Sequence, residues 1–182
     1  MKRRIIKYAG LLLLAALIII QFFHPEKNLS DDQSNAISKN FQVPDTISNI
    51  LKTSCYDCHS NHTEYPWYSK IQPVDWWLQD HINEGKEELN FSEFSSYRPW
   101  RQFRKFEKIG EEVEEEGMPL PSYLFIHRYA KLNEGQKELL KKWTSSMRDS
   151  MKMHYPPDSL VNPNKKRKEK EHEENEGPRE NH

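Results

Sequence analysis

Hydrophobic positions occur first as one unbroken run and then, after a polar gap, at helical spacing. The run extends from Tyr8 to Phe23, behind a basic start of Lys2, Arg3, Arg4 and Lys7. It holds no charge over about 16 residues, near the lower limit for a membrane span, and Ile5 and Ile6 can lengthen it. Residues 1–23 are therefore expected to form a signal anchor or transmembrane helix, with a cleaved signal peptide as the alternative. The stretch Ile18-Ile19-Ile20-Gln21-Phe22-Phe23 offers no small-x-small cleavage site, which favours an uncleaved anchor. Residues 24–43 are polar and aperiodic and read as a flexible tether.

From residue 44 the spacing turns helical. Pro44-Asp45 opens a short helix, with Asp45 as N-cap and Ile47, Ile50 and Leu51 on one face. Ser60 to Pro73 is rich in turn residues and reads as a loop. Pro73 sits at a first helical position, followed by a stripe of Val74, Trp77, Leu78, His81, Ile82 and Leu89, with Gly85 on the same face. A short helix is expected after Ser92. A longer one runs from Pro99 to about Glu116, with Trp100, Phe103, Phe106, Ile109 and Val113 inward and Gly117 as its C-cap. Asn133 and Gln136 form a capping box for the last helix, whose buried stripe is Leu139, Leu140, Trp143 and Met147. No segment alternates convincingly with period two. The expected fold class is all-α, one domain over residues 44–155.

Composition changes this picture in two ways. The chain is 35% hydrophobic and 30% charged, lean for a self-sufficient core, so a large apolar cofactor would fill a gap. The net charge of −1 gives no reason to expect nucleic acid as a partner. Residues 156–182 lose all apolar side chains after Val161 and read as a disordered charged tail, in which His172 and His182 are incidental.

The chemistry concentrates in one pentapeptide. The only two cysteines fall in Cys55-Tyr56-Asp57-Cys58-His59, a C-x-x-C-H run that is the attachment signature of c-type haem. Residues three and four apart share a helix face, so both thiols can meet the vinyl groups of one porphyrin while His59 ligates the iron. Two other readings stay open. A redox pair would want a βαβ context, and structural zinc would want four ligands; neither pattern is visible. Positive-inside placement puts the motif beyond the membrane, on the periplasmic face if the host is a bacterium.

A second axial ligand is sought in Gly117-Met118-Pro119-Leu120-Pro121-Ser122-Tyr123. Met118 sits between stiffening prolines, and His59 before with Met118 after reproduces the chain order of small cytochromes c; Met/His ligation raises the potential. His81, beside Trp77 and Leu78, is the rival, and an open position is the third possibility. His62 reads as a surface or propionate-side group; His127 and His154 carry no signal beyond composition. The aromatic cluster Tyr65, Trp67, Tyr68, Trp76 and Trp77 reads as packing against a porphyrin rather than a docking surface. Trp67, Tyr68, Trp77, Pro119 and Tyr123 are the haem-pocket candidates. Arg98, Arg101, Arg104 and Lys105 offer propionate partners.

On Cys55–Asn61, Tyr65–Ser69, Trp76–Gly85, Leu89–Ser92 and Gly117–Tyr123, the chain resembles the bacterial haem-binding domain family common among Bacteroidetes. The resemblance covers about residues 40–148. It implies a c-type haem domain, sometimes fused to cytochrome or peroxidase modules, and brings no settled role. The expected protein is a membrane-anchored monohaem cytochrome that passes single electrons between periplasmic partners, an electron carrier rather than a catalyst. The alternatives are a haem-based sensor or ligand binder and an accessory haem domain of a peroxidase-type system.

Overall fold

The computed structural model describes residues 2–165 and 167. Its first element, α1 (Lys2–Ile20), buries none of its residues. Among the described residues no helix is long and apolar enough to cross a membrane, so the expected transmembrane helix is not borne out. The reason lies in its basic start. Lys2, Arg3, Arg4 and Lys7 occupy the first turns, and the uncharged part from Tyr8 to Ile20 rises only about 20 Å, against a hydrocarbon core of about 30 Å.

The polar stretch 24–43 does not hang free as a tether. Asn28, Ala36 and Ile37 are buried, and Leu29 pairs with His62 in an isolated antiparallel bridge. Asn28 donates through Nδ2 to the Ser60 carbonyl and to Thr63 Oγ1, both at 2.9 Å. The Ile37 amide, in a 3₁₀ turn Ile37–Lys39, donates to the Phe91 carbonyl at 2.9 Å. Polar side chains hold this stretch by partners distant in sequence, and such bonds leave no hydrophobic period to read.

Six further helices build the domain: α2 (Asp45–Ser54), α3 (Tyr56–His59), α4 (Val74–Glu88), α5 (Pro99–Glu114), α6 (Pro121–Ile126) and α7 (Glu134–His154). The all-α expectation holds: among the described residues there is no strand. Helices α5 and α7 pack along one another, and α2 lies against α7. Between them sits an aromatic core in which the Phe106 ring meets Phe41 and Phe94 at 4.9 Å and Trp143 at 5.6 Å. Ile47, Ile50 and Leu51 bring α2 into the same core. The last helix opens with the expected Asn133–Gln136 capping box.

Several local expectations are corrected. Asp45 lies inside the first turn of α2, with Pro44 at the cap position. Glu116, not Gly117, takes the left-handed backbone after α5, with φ of 58°. Leu139 is 44% exposed, and α7 buries Leu140, Trp143, Thr144 and Met151 instead. The single apolar stripe read along α4 splits in two. Leu78 and Ile82 face the domain together with Asp75 and Gln79, while Val74 and Trp77 stay exposed. Residues 156–160 of the expected tail are ordered, since the 3₁₀ turn Pro157–Leu160 packs on α5 and Leu160 touches the core. His172 and His182 lie outside the described residues.

The start of α4 carries a buried ionic joint. Asp75 is fully buried and is bonded by Lys27, with His24 Nδ1 at 2.7 Å and Gln72 Nε2 at 3.2 Å. Burial raises its pKa, but the hydrogen bonds and charges of Lys27 and His24 outweigh that and hold the carboxyl below its ordinary value. A depressed folded-state pKa stabilises the fold above the unfolded value of about 4 and is lost as pH falls through the folded one. Asp75→Asn should therefore cost about 2–4 kcal/mol at neutral pH, and its melting temperature should converge on the wild type's in acid. A gap that stays constant between neutral and acid melts would overturn this.

Candidate functional site

Cys55 closes α2 and starts α3, so the motif winds as one helical turn: the amides of Cys58 and His59 both donate to the Cys55 carbonyl, at 3.2 and 3.0 Å. Both thiols are free and half-buried. Burial, with added repulsion from Cys58, pushes the Cys55 thiol up to about 12, and burial with Asp57 pushes Cys58 up to about 11. Redox C-x-x-C pairs show the opposite, a lowered thiol. Among the described residues no cluster of three or more His, Cys, Asp or Glu could hold a metal ion, so zinc has no ligand set there.

His59 is oriented by α4. Its Nδ1 lies 2.8 Å from the Gly85 carbonyl and 3.0 Å from that of Leu89. Both partners are acceptors, so Nδ1 carries the proton and Nε2 keeps its lone pair for a metal. Burial lowers the His59 pKa, which keeps the ring neutral. Gly85 allows this approach: a Cβ there would stand 2.8 Å from the Cys58 carbonyl oxygen and 3.2 Å from Cys58 Cβ.

A cavity of about 310 Å³ opens beside the motif. Cys55, Asp57, Cys58 and His59 form one wall, His81, Glu84, Gly85 and Glu88 of α4 another, and Met118, Pro119, Leu120 and Tyr123 a third. The structure thus gathers both thiols, His59, both rival sixth ligands, Pro119 and Tyr123 around one space. His81 keeps Nε2 available too, since its Nδ1 lies 2.9 Å from the Trp77 carbonyl.

Three expected pocket aromatics are placed elsewhere. Trp67 is 75% exposed. Trp77 stays out of the lining, although its ring packs on His81 at 4.3 Å. Tyr68 lies behind Cys58 in a narrow crevice shared with Asp57, Tyr123 and His127. Arg98, Arg101, Arg104 and Lys105 border a separate groove, joined to the cavity through the Lys105–Glu88 ion pair at 3.0 Å.

Sequence reasoning missed the bracing of the site. Tyr123 donates to Asp57 Oδ2 at 2.6 Å and stacks on His127 at 4.3 Å. Burial, then this bond, pushes the Tyr123 phenol far up. His127, buried, reaches Tyr68 Oη at 2.6 Å and Tyr129 Oη at 2.8 Å. After the motif, Asn90 donates to Asn61 at 2.7 Å, Phe91 to the His59 carbonyl at 2.8 Å, and Thr63 to the Asp57 carbonyl at 2.6 Å. Short polar residues of this kind read as loop in a sequence; the one available hint was Gly85, a helix-weakening residue amid an apolar stripe.

The fold and the cavity define a class: an all-helical domain presenting thiols, imidazoles and a thioether to one space, the donor set of a haem site. The chain belongs to the haem-binding domain family, whose match covers residues 15–146, and haem is its cofactor. No curated protein and no solved structure matches it. The residues present fit the group, since the cavity joins both half-buried thiols to a neutral imidazole with a free Nε2.

Proposed function

We propose that the protein is a monohaem c-type cytochrome that carries single electrons at the periplasmic face of a bacterial inner membrane. One observation carries this reading: Cys55, Cys58, His59 and Met118 all border the same cavity. Cys55 and Cys58 would hold one haem through thioether bonds, each thiol adding across a vinyl group so that sulfur bonds one carbon and the proton goes to the other. His59 Nε2 would be the proximal ligand, with Nδ1 anchored on the Gly85 and Leu89 carbonyls. Met118 is the favoured sixth ligand, because its thioether borders the cavity from a proline-flanked loop that follows the motif in the chain order of small cytochromes c. Bound there, haem supplies a one-electron couple; the chain supplies ligand placement, a covered iron and a tuned potential.

The basic start and apolar run of α1 support an export segment that brings the domain to the membrane surface, with periplasmic redox proteins as partners. The test is Met118→Ala in protein matured with haem. It should abolish the weak red-edge band of thioether-ligated ferric haem, lower the potential and open the iron to carbon monoxide, with covalent haem retained. An unchanged spectrum, with His81→Ala turning high-spin, moves the ligand to His81. Wild-type protein that binds carbon monoxide readily supports a ligand-binding sensor instead.

A further inference from the structure

We infer that the domain rests on a phospholipid surface through one aromatic face, made by Phe22 and Phe23 just after α1, the 3₁₀ turn Trp67–Lys70 and the first turns of α4. This goes beyond the membrane location proposed above, on which it rests, by stating which face meets lipid. The face is rich in exposed apolar side chains: Phe22 (80%), Phe23 (61%), Trp67 (75%), Ile71 (45%), Trp76 (40%) and Trp77 (47%). Exposed apolar residues scattered singly are ordinary, whereas a gathered patch marks an interaction site.

Phe23, Gln72 and Trp76 are tied together by specific bonds, with Phe22, Ile71 and Trp77 their chain neighbours, and Trp67 lies in the 3₁₀ turn that packs on α4. Gln21 and Gln72 exchange hydrogen bonds, the Gln72 amide donating to Gln21 Oε1 at 2.9 Å and Gln21 Nε2 to the Gln72 carbonyl at 3.2 Å. The Phe23 carbonyl accepts from Gln72 Nε2 at 2.7 Å and from the Trp76 indole at 2.8 Å. The Asp75 joint with Lys27 and His24 closes the next turn, and Lys27 also donates to the Ser69 carbonyl at 3.1 Å. The apolar helix is thus fastened directly to the domain at the aromatic patch.

Lipid is the occupant these features select. The patch continues the surface of α1, a helix that buries nothing against the protein. The opposite end of α1 carries Lys2, Arg3, Arg4 and Lys7, suited to anionic headgroups. Tryptophan, apolar in body with one polar N–H, concentrates at the lipid–water boundary. The patch also adjoins the cavity, because Trp77 packs on His81 and His81 lines the cavity wall. The haem site would therefore lie beside the lipid surface.

The experiment uses the full haem-loaded chain with vesicles of phosphatidylethanolamine and phosphatidylglycerol. A nitroxide is attached at Ile71→Cys, and at Ser145→Cys on α7 as the distant control. On vesicle binding, the label at 71 should lose access to a water-soluble nickel chelate several-fold and gain access to oxygen, while the label at 145 stays unchanged. Trp67→Ser, at an exposed position, should weaken vesicle partitioning several-fold with an unaltered circular dichroism spectrum. Equal chelate access at both labels, partitioning indifferent to Trp67, or no vesicle binding overturns the inference. Haem absorbance on the same samples separates the two claims. Intact haem without lipid contact sinks the docking face alone; missing haem sinks the cytochrome, and the lipid result is then read from the partitioning of Trp67→Ser, which needs no thiol label.

Discussion

Cys55→Ala combined with Cys58→Ala should eliminate all haem that survives a denaturing gel, whereas His59→Ala should retain a covalent adduct in reduced yield. The difference follows from the chemistry of the three residues. The thiols are the only ones in the chain, so no other residue can form a thioether. His59 forms no thioether, and its removal would take away the proposed iron ligand and the Nδ1 donor to the Leu89 carbonyl, while the Gly85 carbonyl keeps the Leu89 amide. Leaving a part-buried acceptor unpaired costs about 1 kcal/mol or more, so His59→Ala should also melt earlier and show a high-spin spectrum. Haem staining of the gel against total protein provides the measurement. Staining undiminished in the double variant would falsify covalent attachment.

The second large effect is expected at Gly85. An alanine there would place its Cβ 2.8 Å from the Cys58 carbonyl oxygen, a backbone atom that cannot swing aside as a side chain does. Either α4 retreats from α3 or the motif's turn deforms, and both outcomes lengthen the bond from His59 Nδ1 to the Gly85 carbonyl. Overpacking of this kind costs about 1–3 kcal/mol even though alanine is the better helix former. Gly10→Ala is the matched control, because nothing lies within 4 Å of a Cβ at that position. Chemical denaturation should show Gly85→Ala destabilised and Gly10→Ala unchanged or slightly stabilised. If the two behave alike, the close approach of α4 to Cys58 is not what Gly85 serves.

Much of the helical framework was legible because it rests on local signals. The Asn133–Gln136 capping box, Pro99 at the first turn of α5, and the spacing of Phe106, Ile109 and Val113 all depend on neighbours within a turn or two. The C-x-x-C-H turn was legible for the same reason. What escaped was built from long-range polar bonds. Asn28, more than thirty residues from Thr63, reads as tether until its amide is seen filling two acceptors. His127 looked uninformative because Tyr68, which its ring reaches, lies 59 residues away in the chain. Trp77 misled in the other direction: a helix stripe records which residues share a side, not whether that side meets protein. The short helix α6 was missed since six residues starting on Pro121 give no measurable period.

One bond described above ties the two walls of the cavity together. Tyr123 stands one turn into α6, directly after the Met118 loop, and its hydroxyl is held by Asp57, inside the attachment motif. The Met118 loop and the His59 turn, which would offer the sixth and fifth ligands of the proposed haem, are thereby held to one another. Were a haem iron to alternate between two oxidation states there, such bracing would resist movement of the residues that hold it. Less movement would mean a lower reorganisation energy, so the proposed carrier would gain speed from a phenol placed in the wall of its site.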